Sequence, residues 1–197
     1  MKTNSKIIKE YLKTHLSPER FSHTLATLKL AQALAKKHKT NLTNTSIASL
    51  LHDAGKQFDK AAMKAYAISH KVSVPNLKQT IKNNPALLHS FISAHIAKNV
   101  FGIKNTSVLN AIAFHTLGDP NMDTLAKIIY LADAASPDRS YKGVNAIRQT
   151  ALINLDSALV MAQSIKIAHV LEKKAWLHPK ALESWNAFVL TCGENKK

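Results

Sequence analysis

Apolar residues recur at helical spacing through nearly the whole of this chain, and no stretch of useful length alternates in the manner of a half-buried strand. That periodicity restricts the chain to an all-α fold. Five Gly and six Pro among 197 residues leave few turn-formers, and a 46% hydrophobic share can fill a sizeable core. The punctuation agrees. Residues 5–15 read as an amphipathic helix, and Ser17 followed by Pro18 reads as the start of a second. A third is expected from Thr43–Thr45 through "SIASLLHDAGK", with Gly55 as its terminator. Shorter helices are expected at 58–68 and 76–83. Asn84 is expected to cap "PALLHSFISAHIAKNVF", which Gly102 would stop. Asn105 or Thr106 is expected to cap "SVLNAIAFHTL", ended by Gly118. "MDTLAKIIYLADAA" follows, then helices near 144–152, 155–174 and 179–190. The sum is one all-α domain, with a core over about residues 18–175 and a helical extension at 176–190.

The formal charge is +15, which predicts attraction to polyanions: nucleic acid, polyphosphate nucleotides or anionic lipid. The lysines are spread along the chain as on any well-solvated surface, with local density only at "AKKHK" and the closing "GENKK". No Arg-rich tract or aromatic-basic interleaving favours a nucleic-acid partner. The single cysteine, Cys192, excludes an intrachain disulfide framework. No membrane span is expected, and "MKTNSKIIKEYLKTHL" lacks the apolar segment of a signal peptide. A reducing cytoplasm is the expected compartment, and a homodimer is compatible with the sequence.

Several apolar stripes end in a residue that binds metals. His23 lines up with Ala26, Leu30 and Leu34; His89 with Ile92, Ile96 and Val100. His115 follows Val108, Ala111 and Ile112, while Asp133 follows Ala126, Ile129 and Tyr130. His52 and Asp53 sit side by side in "LLHDAGK", with Lys56 three positions on. One such histidine is ordinarily a hydrogen-bonded core residue. A buried carboxylate without a partner is expensive, and six such groups on converging helices have one economical solution, a divalent cation. Nitrogen and carboxylate donors without thiolate suit Fe, Mn, Zn, Co or Ni and disfavour Ca. Among the other histidines, His15, His38 and His70 are expected at the surface. His95 and His169 are expected to be structural.

The order His23, His52-Asp53, Asp133 resembles the HD superfamily of metal-dependent phosphohydrolases. "RFSHT", "LLHDAGK", "LLHS", "AIAFHTLG", "IIYLADAASPDR" and "AIRQTAL" together resemble the YqeK family. These are symmetrical diadenosine tetraphosphate hydrolases, some fused to a nicotinate mononucleotide adenylyltransferase. The resemblance implies His23, His52, Asp53 and Asp133 as metal ligands, iron as the first choice of metal, and a dinucleoside polyphosphate or nucleotide as substrate. His89 and His115 would hold a second ion, with Asp53 bridging, or touch substrate phosphates. His52, Asp53, Lys56 and His115 form the catalytic set. Lys56, Arg139 and Arg20 would clamp phosphates. In "WLHPKALESWN", Trp176 or His178 would flank a base, unless Trp176 and Trp185 are merely core. Ser136 stands where the family usually has Glu, which removes a carboxylate near the site, and Ser90 replaces a Gly. An HD-type 5′-nucleotidase or phosphodiesterase is the alternative enzyme; a non-catalytic nucleotide- or RNA-binding HD module is the alternative from another class.

Overall fold

The computed structural model describes residues 5–194, with side chains described as far as residue 191. Cys192 and the "GENKK" end lie outside the described side chains. Eleven α-helices follow one another, with no strand among the described residues. They are α1 (Ser5–His15), α2 (Pro18–Lys37), α3 (Leu42–Leu51), α4 (Lys60–Ser69), α5 (Leu77–Asn83) and α6 (Leu88–Asn99), then α7 (Thr106–Phe114), α8 (Thr124–Ala134), α9 (Val144–Ala151), α10 (Leu155–Glu172) and α11 (Pro179–Glu194).

Capping side chains set many of the starts. Ser17, Asn41, Asp59, Asn105, Asp123 and Asn154 each accept a backbone N–H of the first turn of the helix they precede. Asn41 is the cap of α3, two residues before the expected start. Asn84 caps nothing with its side chain; a 3-10 turn over Pro85–Leu87 intervenes before α6. Gly55 does not end α3, which stops at Leu51. It lies in a 3-10 turn, Ala54–Gln57, pressed so closely against the His89 backbone that a Cβ would sit 2.4 Å from the His89 carbonyl oxygen.

α8 is the central helix, with nine of its eleven residues buried. α2, α7 and α10 pack on it, α3 packs between α2 and α7, and α6 covers α7 and the 3-10 turn. α1 adds Ile8 and Leu12 to the core. α11 closes on α10 through Gln163–Ser184 (2.6 Å) and Trp185–Ser164 (2.8 Å), and Lys180 pairs with Asp119 at 2.6 Å. No helix of the described residues is long and apolar enough to cross a membrane.

Candidate metal centre and active site

The C-terminal ends of α3, α7 and α8 meet at one place. His52 and His115 are the residues just past α3 and α7, and Asp133 lies in the last turn of α8. The negative ends of three helix dipoles therefore gather there, which favours a cation. The first turn of α6 supplies His89, and α2 supplies His23.

Three histidines share one device. The Nδ1 of His52 lies 2.7 Å from the Ser49 carbonyl, that of His89 2.5 Å from Ala86, and that of His115 2.7 Å from Ile112. A carbonyl can only accept, so each Nδ1 carries its proton and each ring turns its Nε2 inward. Burial holds His52 down to about 4 and His89 to about 3, so both are neutral near pH 7.

Those Nε2 atoms surround Asp53, which is 1% exposed. His89 and His115 lie 3.4 Å from its Oδ1, and His52 lies 3.5 Å from its Oδ2. His52 Nε2 and Asp53 Oδ1 are buried with no hydrogen-bond partner. Lone pairs aimed at a carboxylate repel, and orphaned buried acceptors cost free energy. A metal ion removes both penalties. Two donor groups satisfy the distances, His23–His52–Asp53 and Asp53–His89–His115, sharing Asp53. The residues fit a divalent cation.

Burial raises the Asp53 carboxyl, but His52, His115, His89 and Lys56 outweigh it and hold it well below the usual carboxylate range. With His52 and His89 neutral, the fixed cation in that group is Lys56, whose Nζ is 2.8 Å from Asp53 Oδ2. Arg20 is tethered to the same turn, donating from Nη1 to the Lys56 carbonyl at 2.7 Å.

Asp133 joins through His23, whose Nε2 lies 3.0 Å from its Oδ1. The other His23 nitrogen, Nδ1, meets Asp138 Oδ2 at 2.8 Å. Burial disfavours the His23 imidazolium, but the hydrogen bond and charge of Asp133, with help from Asp138, raise its pKa. Arg139 donates to Asp133 Oδ1 at 3.0 Å and lies 3.4 Å from His23 Nε2. Here the sequence reading missed a residue: a carboxylate does flank His23, supplied by Asp138 five positions after Asp133. Ser136, fully buried, lies 3.4 Å from the same ring.

Thr116 and Arg148 were also missed. The Thr116 hydroxyl is 3.1 Å from His89 Nε2 and 3.0 Å from His115 Nε2, and can donate to only one. Arg148, from "AIRQTAL", donates to the carbonyls of Ala135, Ser136 and Arg139 at 2.7–2.8 Å, pinning the segment that carries Asp138 and Arg139. Nothing in its spacing marks Arg148; only three carbonyls left without helical partners after α8 explain it.

A cavity of about 750 Å³ opens beside Asp133 and Thr116, and Trp176 and His178 belong to the same wall. Both His178 nitrogens are occupied: Nε2 faces the Pro75 carbonyl at 3.2 Å and Nδ1 accepts the Lys180 N–H. Only its ring face is left for a ligand. Trp185 is bonded into the α10–α11 contact, away from the cavity lining. His15 and His70 are exposed, as expected, and His95 bonds the Tyr66 hydroxyl at 3.0 Å. Two expectations reverse. His38 is half-buried and bonds the Ala151 carbonyl at 2.7 Å, because the turn after α2 folds it onto α9, and His169 is exposed near the end of α10.

Residues 20–138 match the model of the HD domain family. The chain belongs to that family. This HD-domain protein is 33% identical over 181 residues, 92% of its own length and 95% of the relative's, to a symmetrical bis(5′-nucleosyl)-tetraphosphatase of Halalkalibacterium halodurans. A Bacillus subtilis protein of the same description is 28% identical over 178 residues, covering 90% of this chain and 94% of its own. Among solved structures, a "predicted HD superfamily hydrolase involved in NAD metabolism" from Clostridium acetobutylicum superposes with a TM-score of 0.89 at 34% identity. That match covers 95% of the HD-domain chain and 98% of its neighbour.

Proposed function

We propose that this HD-domain protein hydrolyses dinucleoside tetraphosphates symmetrically, converting diadenosine tetraphosphate into two ADP. Near-full-length similarity to relatives described by that activity supports the reaction. The observation that carries the chemistry is the ring of bare imidazole nitrogens around Asp53. His23, His52, Asp53 and Asp133 would hold the first ion, and His89 and His115, with Asp53 shared, a second. Iron is our first choice, with Mn, Co, Ni or Zn also compatible with all-N/O donors. When bound, such a cation supplies Lewis acidity, activating water near neutral pH and offsetting charge on the attacked phosphoryl group.

The protein's side chains do the rest. Asp53 anchors the Lys56 ammonium, which keeps N–H donors for phosphate oxygens, and Arg20, bonded through Nη1 to the Lys56 carbonyl, brings a guanidinium beside it. Arg139 presents its guanidinium edge at Asp133. Where only the first ion binds, His115 Nε2 remains an acceptor able to orient the attacking water and take its proton. Water adds to one β-phosphorus, the central P–O–P bond breaks, and the bridging oxygen leaves with the other ADP. Trp176, in the cavity wall, would stack on a base. The compartment we propose is the cytoplasm, and no nucleic-acid partner is required.

Hydrolysis in oxygen-18 water tests the reading. Two ADP are expected, one labelled and one not. ATP with AMP, or faster phosphate release from AMP than any cleavage of the dinucleotide, would replace it with the nucleotidase reading. X-ray fluorescence of the purified protein identifies the metal.

A further inference from the structure

Lys166 has no role in the reaction as described so far. It lies in α10, one to two turns from the end, and projects into the cavity that Asp133, Arg139 and Trp176 also line. It is partly buried, and among the described residues no carboxylate comes within 4 Å of its ammonium. Its ammonium sits over the face of Tyr130, 4.1 Å from Nζ to the ring centre. A ring face offsets only part of the cost of taking an ammonium out of water. Burial lowers the lysine's pKa; Asp133 opposes that, while Arg139 and Lys56 add to it. This inward cation has carboxylates in its field but none in contact with its ammonium.

The neighbouring charges show which anion. Lys56 and Arg20 attend the Asp53 end of the cluster, whereas Lys166, Arg139 and Lys142 attend the Asp133 end and its cavity. One nucleoside diphosphate needs only one of these groups. A substrate built of two such halves uses both. We propose that Lys166 binds a phosphate of the nucleoside diphosphate half that occupies the cavity. It is a substrate-binding residue specific for the second half of the substrate, and it rests on the hydrolase reading above. Tyr130 fixes the ammonium by its ring face, leaving the N–H donors for phosphate oxygens.

Calorimetric titration of the metal-free protein with ADP tests this contact without any turnover. Lys166→Met should weaken ADP binding by at least about tenfold, the size of one lost charge-assisted contact. Lys166→Arg should restore most of it, and neither variant should lower metal content in the loaded protein. With diadenosine tetraphosphate, Lys166→Met should raise KM more than it lowers kcat. Wild-type ADP affinity in Lys166→Met overturns the proposal, as does an equal loss in the Arg variant with the melting temperature unchanged. If Lys166→Met fails to fold, Lys166→Gln takes its place under the same criteria. A wild-type protein that yields no ADP from the dinucleotide overturns the reaction reading instead; the ADP titration still decides the role of Lys166.

Discussion

His89 and His115 meet Nε2 to Nε2 at 3.1 Å, although both rings have already given their Nδ1 protons to backbone carbonyls. With each ring's proton on Nδ1, no hydrogen lies between the two Nε2 atoms. A bond there would require an imidazolium in a site where His115 is 1% exposed and burial holds His89 neutral. A metal ion bound there would use both lone pairs at once, with Asp53 Oδ1, 3.4 Å from each, as a third donor.

Removing one of the pair should therefore remove one ion. His115→Ala is expected to lower saturating metal content by one ion per chain, while His23, His52, Asp53 and Asp133 keep the other. Asp53→Asn, which takes the shared charge from both groups, should abolish metal binding and hydrolysis together. Equilibrium dialysis against Mn with mass-spectrometric quantitation reads both results. Full occupancy in Asp53→Asn would sink the assignment.

The phosphate role proposed for Lys56 can be tested apart from metal binding. Its ammonium touches Asp53 but is not a ligand, so Lys56→Ala should retain metal while kcat/KM for polyphosphates falls roughly 10–1000-fold, about 1.4–4 kcal/mol. Unchanged kinetics would return this lysine to service as a partner of Asp53 only.

Acid should weaken the metal-free protein in a defined window. His52 and His89 titrate at about 4 and about 3 in the folded chain, against an ordinary 6.5. Between those values the unfolded chain binds more protons. The stability they contribute is thus fully present above 6.5 and is lost as pH falls toward the folded values. His23, raised, acts oppositely: its contribution is present below its ordinary value and lost as pH rises through its folded pKa. Asp53 and Asp133 are depressed, so their contributions persist through this window and fade below it. The net slope should be roughly 1–3 kcal/mol per pH unit between about pH 4.5 and 6. Urea midpoints of metal-stripped protein measure it, and a flat profile would contradict the neutral-ring assignment.

The helices and their inward polar residues were legible because periodicity reports which face is buried, and His23, His52, Asp53, His89, His115 and Asp133 all end apolar stripes. Asp138 and Lys166 were not legible on that basis. Asp138 lies in an irregular segment where no period applies, and Lys166 looks from sequence like any solvent-facing lysine of an amphipathic helix. His38 misled for a related reason: its partner, the Ala151 carbonyl, lies 113 residues away. Tertiary partners of this kind leave no local trace.

Gly55 shows the same limit from the backbone side. The sequence marks it as a helix stop, but its φ is not in the left-handed region and α3 has already ended. What the position requires is the missing side chain: a Cβ would lie 2.4 Å from the His89 carbonyl oxygen and 3.1 Å from its Cα. The Gly55 N–H also donates to Ser93 Oγ at 2.8 Å, so the turn and α6 are held together at this contact. Gly55→Ala must push α6 away, and with it His89, whose ring faces Asp53. Overpacking of this kind costs about 1–3 kcal/mol, a fall of about 2–12 °C in Tm for a chain of this size. Metal affinity at Asp53, His89 and His115 should fall as well. Gly102→Ala is the control: with φ +65° and open space around it, it should lower Tm through backbone strain alone and leave metal binding intact. A Gly55→Ala protein that melts and binds metal as the wild type does would show that the turn and α6 can separate without disturbing His89.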